Sequence, residues 1–127
     1  MALLLLVDGN PLLRAGVRDL LARDLPPLTR IVESGSAEEA IELCRRLNPD
    51  WVLMDIRLGG MDGIEGTRRI VAGNRDARVI MLTEYDDPGY RRAAAEAGAV
   101  GYVLKEDLEE VSTLIASPSS SHGRSHM

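Results

Sequence analysis

Two carboxylates, a hydroxyl and an ammonium occupy equivalent places in this sequence. Asp8, Asp55, Thr83 and Lys105 each directly follow a short apolar run. In an open parallel sheet, functional groups gather just beyond the carboxyl ends of the strands. If the runs are parallel strands, the four side chains share one edge. That set suits an oxyanion and a divalent cation. A carboxylate accepts a phosphoryl group when a lysine and Mg²⁺ neutralise the developing charge and a hydroxyl fixes one oxygen. Mg²⁺ would be held by carboxylate, carbonyl and water oxygens, with the protein supplying only part of the shell. Taken singly, each residue has a plainer role: Asp8 as a helix cap, Thr83 as a strand-end hydroxyl, Lys105 as solvated surface. Their shared position is what makes chemistry of them.

The elements that must position these groups are legible in the periodicity. Strands are expected at Leu3–Val7, Arg30–Glu33, Trp51–Met54, Arg78–Leu82 and Gly101–Leu104. Most are apolar on both faces, as parallel strands covered on both sides are. Between them lie helical patterns. Leu13, Val17, Leu20 and Leu21 form a stripe behind Pro11, a residue suited to a first helical turn. Ser36 and Glu39 have the spacing of a capping box, and Asn48-Pro49 ends the helix that carries Ala40, Ile41, Cys44 and Leu47. Ile64–Val71 gives a third helix with Gly73 just past its end. Pro88–Ala97 gives a fourth, closed by Gly98, whose small side chains anchor it lightly. Leu108, Val111 and Ile115 mark a short fifth. Five βα units imply a doubly wound α/β sheet in three layers.

At 127 residues the chain fits one domain, expected over 1–116. The polar stretch 117–127 reads as an inter-domain linker or vector-derived tail, and it holds both histidines. A net charge of −5 argues against nucleic-acid binding by this domain itself. The single cysteine, Cys44, excludes an intramolecular disulfide and suits a reducing compartment; on an apolar stripe it is expected to pack as a small hydrophobe. Leu3–Leu6 is too short to span a membrane and lacks the flanks of a signal peptide, so the expected location is the cytoplasm.

Five segments in register, Val7–Arg14, Val52–Arg57, Gly60–Gly63, Ile80–Thr83 and Gly101–Lys105, resemble bacterial two-component response-regulator receiver domains, nearest the NarL/FixJ type. The resemblance spans residues 3 to about 115. It implies a flavodoxin-like (βα)₅ receiver fold with strand order 2-1-3-4-5 and makes Asp55 the phosphorylation site. Lys105 and Thr83 would stabilise the phosphoryl group, with Thr83 and Tyr102 forming the switch pair. Mg²⁺ would be held by Asp8, Asp55 and the backbone carbonyl of Arg57. The implied partners are a histidine kinase, a second copy of the chain, and DNA through a C-terminal domain outside this sequence.

Three positions depart from that pattern. The family usually has two adjacent acids after strand 1; here Gly9 follows Asp8, so the direct metal ligand is missing and Mg²⁺ binding is expected to be weak or lost. Glu84 follows the switch threonine where a small residue is usual, and its carboxylate would repel an incoming phosphoryl dianion or serve as a substitute oxygen ligand. Gly59 stands where proline is common and frees the loop after Asp55. The leading expectation is therefore an atypical phosphorylation-controlled switch rather than an enzyme. The rival is a phosphorylation-independent dimerisation or ligand-controlled module. A metal-dependent hydrolase lacks a second acid beside Asp55 and a positioned base, and a dinucleotide enzyme lacks its glycine fingerprint.

Overall fold

Alternation along each strand sorts the apolar side chains into two layers. The computed structural model describes residues 2–116; the stretch 117–127, expected as linker or tail, lies outside the described residues. Five strands, β1 (Leu3–Val7), β2 (Arg30–Ser34), β3 (Trp51–Met54), β4 (Val79–Thr83) and β5 (Gly101–Leu104), pair in parallel in the order β2-β1-β3-β4-β5. Five α-helices connect or follow them: α1 (Pro11–Asp24), α2 (Ala37–Leu47), α3 (Gly63–Gly73), α4 (Pro88–Ala97) and α5 (Glu109–Ala116). A 3₁₀ turn at Lys105–Asp107 precedes α5. This is the three-layer flavodoxin-like arrangement expected from the sequence.

One core layer contains Leu4, Leu6, Leu53, Ile80 and Leu82 from the sheet, with Val17 and Leu21 of α1 and Val111 of α5. The opposite layer contains Leu5, Val7, Val52, Met54, Val79 and Met81, covered by Ala40 of α2, Ile64 and Ile70 of α3, and Ala94 and Ala97 of α4. Neighbouring residues thus serve opposite faces, as the two-residue repeat of a strand requires.

Several local expectations are corrected. The proposed α1 stripe is only half buried: Val17 and Leu21 are inside, whereas Leu13 and Leu20 are 43% and 41% exposed. At about 100° per residue Leu20 points about 80° from the midline of Val17 and Leu21, and Leu13, in the first turn of α1, borders the cleft at the strand ends. Strand β4 also runs one residue later than Arg78–Leu82, taking in Thr83, which pairs with Leu104. Its β-branched side chain suits a pleated strand end.

Capping accounts for the helix starts around the functional edge. The Asn10 side chain accepts from Leu12 N and Leu13 N, that of Asp62 from Glu65 N, and that of Asp87 from Tyr90 N. Ser36 accepts from Glu39 N, as expected of a capping box, but Glu39 accepts from the Ser34 hydroxyl and Gly35 N rather than from Ser36 N. Helix α3 reaches Gly73, two residues beyond Val71, and is capped by Asn74. Helix α2 stops on Asn48 in the left-handed conformation (φ 50°), and its N–H donates to the Cys44 carbonyl.

Candidate functional site

The strand ends enclose a cleft of about 320 Å³ lined by Asp8, Gly9, Asn10, Leu13, Asp55, Arg57, Gly59, Glu84, Tyr85 and Lys105. Asp8 and Asp55 are both buried, 4% and 8% exposed, beyond β1 and β3. Lys105 reaches in from the end of β5. Its Nζ donates to Asp8 Oδ2 at 2.7 Å and to Asp55 Oδ2 at 3.0 Å. The ammonium therefore bridges two carboxylates at the bottom of the cleft. The pairing with Asp55 follows the strand-end logic, and the bridge to Asp8 is additional.

The ionisation of these groups follows from that contact. Burial pushes the Asp55 carboxyl above its ordinary value; Lys105 opposes the shift and Asp8 adds to it. Burial also disfavours the charge on Lys105, but hydrogen bonds and attraction to Asp8 and Asp55 outweigh it and hold the ammonium's pKa above its ordinary value. A lysine cation held against a carboxylate in a partly dry cleft can neutralise an anion arriving there.

Backbone geometry fixes the carboxylates. Asp8 Oδ1 accepts from Asn10 N at 2.9 Å, and the Asp8 carbonyl accepts from the Arg14 guanidinium, which is also paired with Glu33. The start of α3 presses on Asp55: Gly63 N donates to the Ile56 carbonyl, and a Cβ on Gly63 would lie 1.8 Å from the Asp55 carbonyl oxygen. Only glycine fits there. Gly60, at φ +82°, turns the intervening loop, and Glu38 of α2 accepts from Met61 N.

Thr83 sits beside this cleft rather than in its wall. It is fully buried at the end of β4, and its Oγ1 accepts from Tyr85 N at 3.3 Å. Tyr102 of β5 donates its hydroxyl to the Tyr85 carbonyl at 2.6 Å, while the Arg91 guanidinium stacks 4.5 Å from its ring centroid. Thr83 and Tyr102, paired in the sequence analysis, thus meet through the backbone of Tyr85. The Tyr85 ring also faces the Arg57 guanidinium at 5.5 Å and the Tyr90 ring at 6.0 Å. Tyr85 escaped the sequence analysis because nothing in its type or spacing marks it. Gly63, quoted within a motif but given no role, carried a usable signal: a glycine at the first turn of a helix, directly after a capping aspartate.

The donor set for Mg²⁺ is small. Among the described residues no three His, Cys, Asp or Glu side chains group closely enough to hold a metal ion. Asp8 and Asp55 remain, and Mg²⁺ commonly takes one or two protein carboxylates while water and phosphate oxygens complete its shell. The pair falls within that range, with Lys105 already bonded to one oxygen of each carboxylate. Gly9 adds no oxygen, although a Cβ there would make only ordinary contacts, 3.7 Å from the Gly35 carbonyl and 3.8 Å from Leu58. Glu84 is exposed at the rim.

A second cleft, of about 100 Å³, lies between α2 and α3 and is lined in part by Ile41, Cys44, Asn48, Ile70 and Asn74. Its arginines, Arg45 and Arg69, are paired with Glu42 and Glu65, and burial pushes the Cys44 thiol up to about 11. It gathers no reactive set, and Cys44 packs as the small hydrophobe expected of it.

Comparison with known proteins agrees with the geometry. Residues 4–116 match the model of the response regulator receiver domain. The chain is 38% identical over 101 residues to the response regulator UvrY of Escherichia coli (strain K12), covering 80% of this chain and 46% of UvrY. It is 35% identical over 103 residues to the transcriptional regulatory protein DegU of Brevibacillus brevis, covering 81% of this chain and 43% of DegU. The chain thus spans about half the length of the curated relatives it matches. Among solved structures, a LuxR-family two-component response regulator from Aurantimonas sp. SI85-9A1 superposes with a TM-score of 0.86 at 38% identity, covering 94% of this chain and 86% of that one. With the parallel order β2-β1-β3-β4-β5 and a lysine–aspartate pair at the carboxyl edge, the chain belongs to the response regulator receiver domain family.

Proposed function

We propose that this receiver domain is a switch in which Asp55 accepts a phosphoryl group. The observation that carries the reading is the Lys105 ammonium, 3.0 Å from Asp55 Oδ2 and also bonded to Asp8. An Asp55 oxygen attacks phosphorus in line, and the donor atom, the imidazole nitrogen of a phosphohistidine or the carboxylate oxygen of an acyl phosphate, departs with the electron pair of the broken bond. Lys105 turns from its bridging position onto a phosphoryl oxygen. Thr83 releases the Tyr85 N–H and offers its hydroxyl to another oxygen, and the Tyr85 backbone carries that movement to Tyr102 on β5. Mg²⁺, when bound by Asp8, Asp55 and the Arg57 carbonyl, supplies further neutralisation of the transferred charge. The output is dimerisation of a longer protein with a C-terminal DNA-binding part, in keeping with DegU, a transcriptional regulatory protein of which this chain covers 43%. The input is a histidine kinase and the location cytoplasmic; among the described residues no helix is long and apolar enough to cross a membrane. The domain acts by signalling rather than by turnover of a substrate.

Intact mass after incubation with a small acyl-phosphate donor tests this. One phosphoryl group should be added to the natural chain and none to Asp55→Asn. Equal labelling of both would remove Asp55 from the role. A second reading, a module that dimerises without phosphate, is favoured by Gly9 together with the Lys105 bridge, which already neutralises part of the acidic pocket. It predicts the same dimer constant for the natural chain and for Asp55→Asn, with or without donor.

A further inference from the structure

The cleft holds a second cation for which the reading above has no use. The Arg57 side chain is exposed at its mouth, two residues after Asp55, and has no carboxylate within ion-pair distance among the described residues. The other arginines around the site are committed: Arg14 and Arg18 to Glu33, and Arg91 to Asp86 and the Tyr102 ring. Arg57 rests instead on the Tyr85 ring, 5.5 Å from its centroid. An exposed cation–π contact is weak, whereas a guanidinium donating to phosphate oxygens makes charge-assisted and often bidentate bonds. Meanwhile the floor of the cleft offers two carboxylates, Asp8 and Asp55, and both oxygens of Asp8 are already engaged, one by Asn10 N and one by Lys105.

We propose that Arg57 is a phosphoryl-binding residue: its guanidinium leaves the Tyr85 ring for the oxyanion on Asp55 and supplies positive charge that the two-carboxylate metal site does not. The inference rests on Asp55 being the acceptor and adds to it a side-chain role for Arg57, whose backbone alone has a place in the metal site. The step balances without further reactants. An Asp55 oxygen forms the bond to phosphorus, the acyl–oxygen bridge to phosphorus breaks, and the donor leaves as a carboxylate. Three negative charges enter and three leave, no proton is transferred, and Arg57 remains a cation throughout. Because Arg57 and a well-held Mg²⁺ would neutralise the same oxygens, strengthening the metal site should reduce the dependence on Arg57.

That compensation gives the test its sign. Beryllofluoride affinity and phosphoryl incorporation are measured in Mg²⁺ for the natural chain, Arg57→Ala, Arg57→Lys, Gly9→Asp and Gly9→Asp/Arg57→Ala, with Asp55→Asn as the blank. Arg57→Ala should weaken both by about tenfold, the lower end for a hydrogen bond to a charged group. Arg57→Lys should recover part of that loss. In the Gly9→Asp background the same Arg57→Ala change should cost about threefold or less. The Arg57 side-chain NεH resonance should shift and sharpen when beryllofluoride is added, which a merely structural arginine would not do. An unmoved resonance with no loss in Arg57→Ala, or an equal loss in both backgrounds, overturns the proposal while leaving Asp55 as acceptor. Absence of beryllofluoride binding in every background, Gly9→Asp included, overturns the acceptor reading and this inference with it.

Discussion

Lys105 is the residue on which the pocket's electrostatics turn, because its ammonium is shared by Asp8 and Asp55. Lys105→Met should leave two buried carboxylates facing each other and destabilise the domain by about 1–3 kcal/mol, measured by urea unfolding at neutral pH. Because the folded pKa of Lys105 is raised, its stabilising contribution is fully present below the ordinary lysine value of 10.5 and is lost as pH climbs through the higher folded value. The natural chain should therefore lose stability in that alkaline window more steeply than Lys105→Met does. Asp55 is shifted in the same direction, and the effect bears on its chemistry at acid pH. Its pKa is raised chiefly by burial, so in the acid range above 3.8 part of the population carries a neutral Asp55 that cannot attack phosphorus. Phosphoryl uptake should accordingly fall off at a higher pH than for an exposed aspartate, followed by labelling rate against pH. Gly9→Asp is accommodated by the local space and should tighten Mg²⁺ about tenfold by adding an anionic oxygen. If Glu84 also hinders entry of the dianion, Gly9→Asp/Glu84→Ala should label faster than either single variant. Equal Mg²⁺ affinity in the natural chain and Gly9→Asp would show that this glycine costs the pocket nothing.

At the scale of elements, the site depends on how closely α3 approaches the end of β3. Gly63→Ala forces a methyl group onto the Asp55 carbonyl and should cost about 3 kcal/mol, the upper part of the usual range for overpacking. Gly16→Ala is the matched control. Gly16 lies within α1 and has open space where a Cβ would go, so the change should stabilise by about 0.5–1 kcal/mol through helix propensity alone. Chemical denaturation of both variants separates a glycine demanded by packing from one that is merely tolerated. The helices themselves were largely legible, because their caps and periodicity are local: Ser36, Pro11 and Asn48 stand where the sequence places a start or a stop. The α1 stripe was not. Leucines at 13 and 20 fit an amphipathic pattern, yet whether a neighbouring element covers them is decided by the position of the sheet edge.

For the molecule as a whole, the question is how an event at Asp55 reaches the β4–β5 face. Tyr85 joins the two, its N–H on Thr83 and its carbonyl on the Tyr102 hydroxyl. Tyr102→Phe removes the second link and should speed amide exchange in the 84–87 loop. It should also weaken any beryllofluoride-dependent dimerisation, measured by sedimentation, without changing beryllofluoride affinity as much as Arg57→Ala does. The sequence by itself determined the α/β class and the carboxyl-edge position of Asp8, Asp55 and Lys105, whereas the weight placed on Gly9 came from the family resemblance. The class and the edge positions follow from residue type, from short continuous apolar runs and from the 3.6-residue helical repeat, which are properties of a few adjacent positions. Only the tertiary structure decided that Lys105 bridges both carboxylates, that the Thr83 hydroxyl faces Tyr85 N rather than the cleft, and that Arg57 stacks on Tyr85. Each of these joins groups from different strand ends or depends on where one strand stops. Parallel pairing brings residues 8, 55 and 105 to one edge, where the Lys105 ammonium hydrogen-bonds to both carboxylates, and no local pattern records which of several neighbours a long side chain will meet.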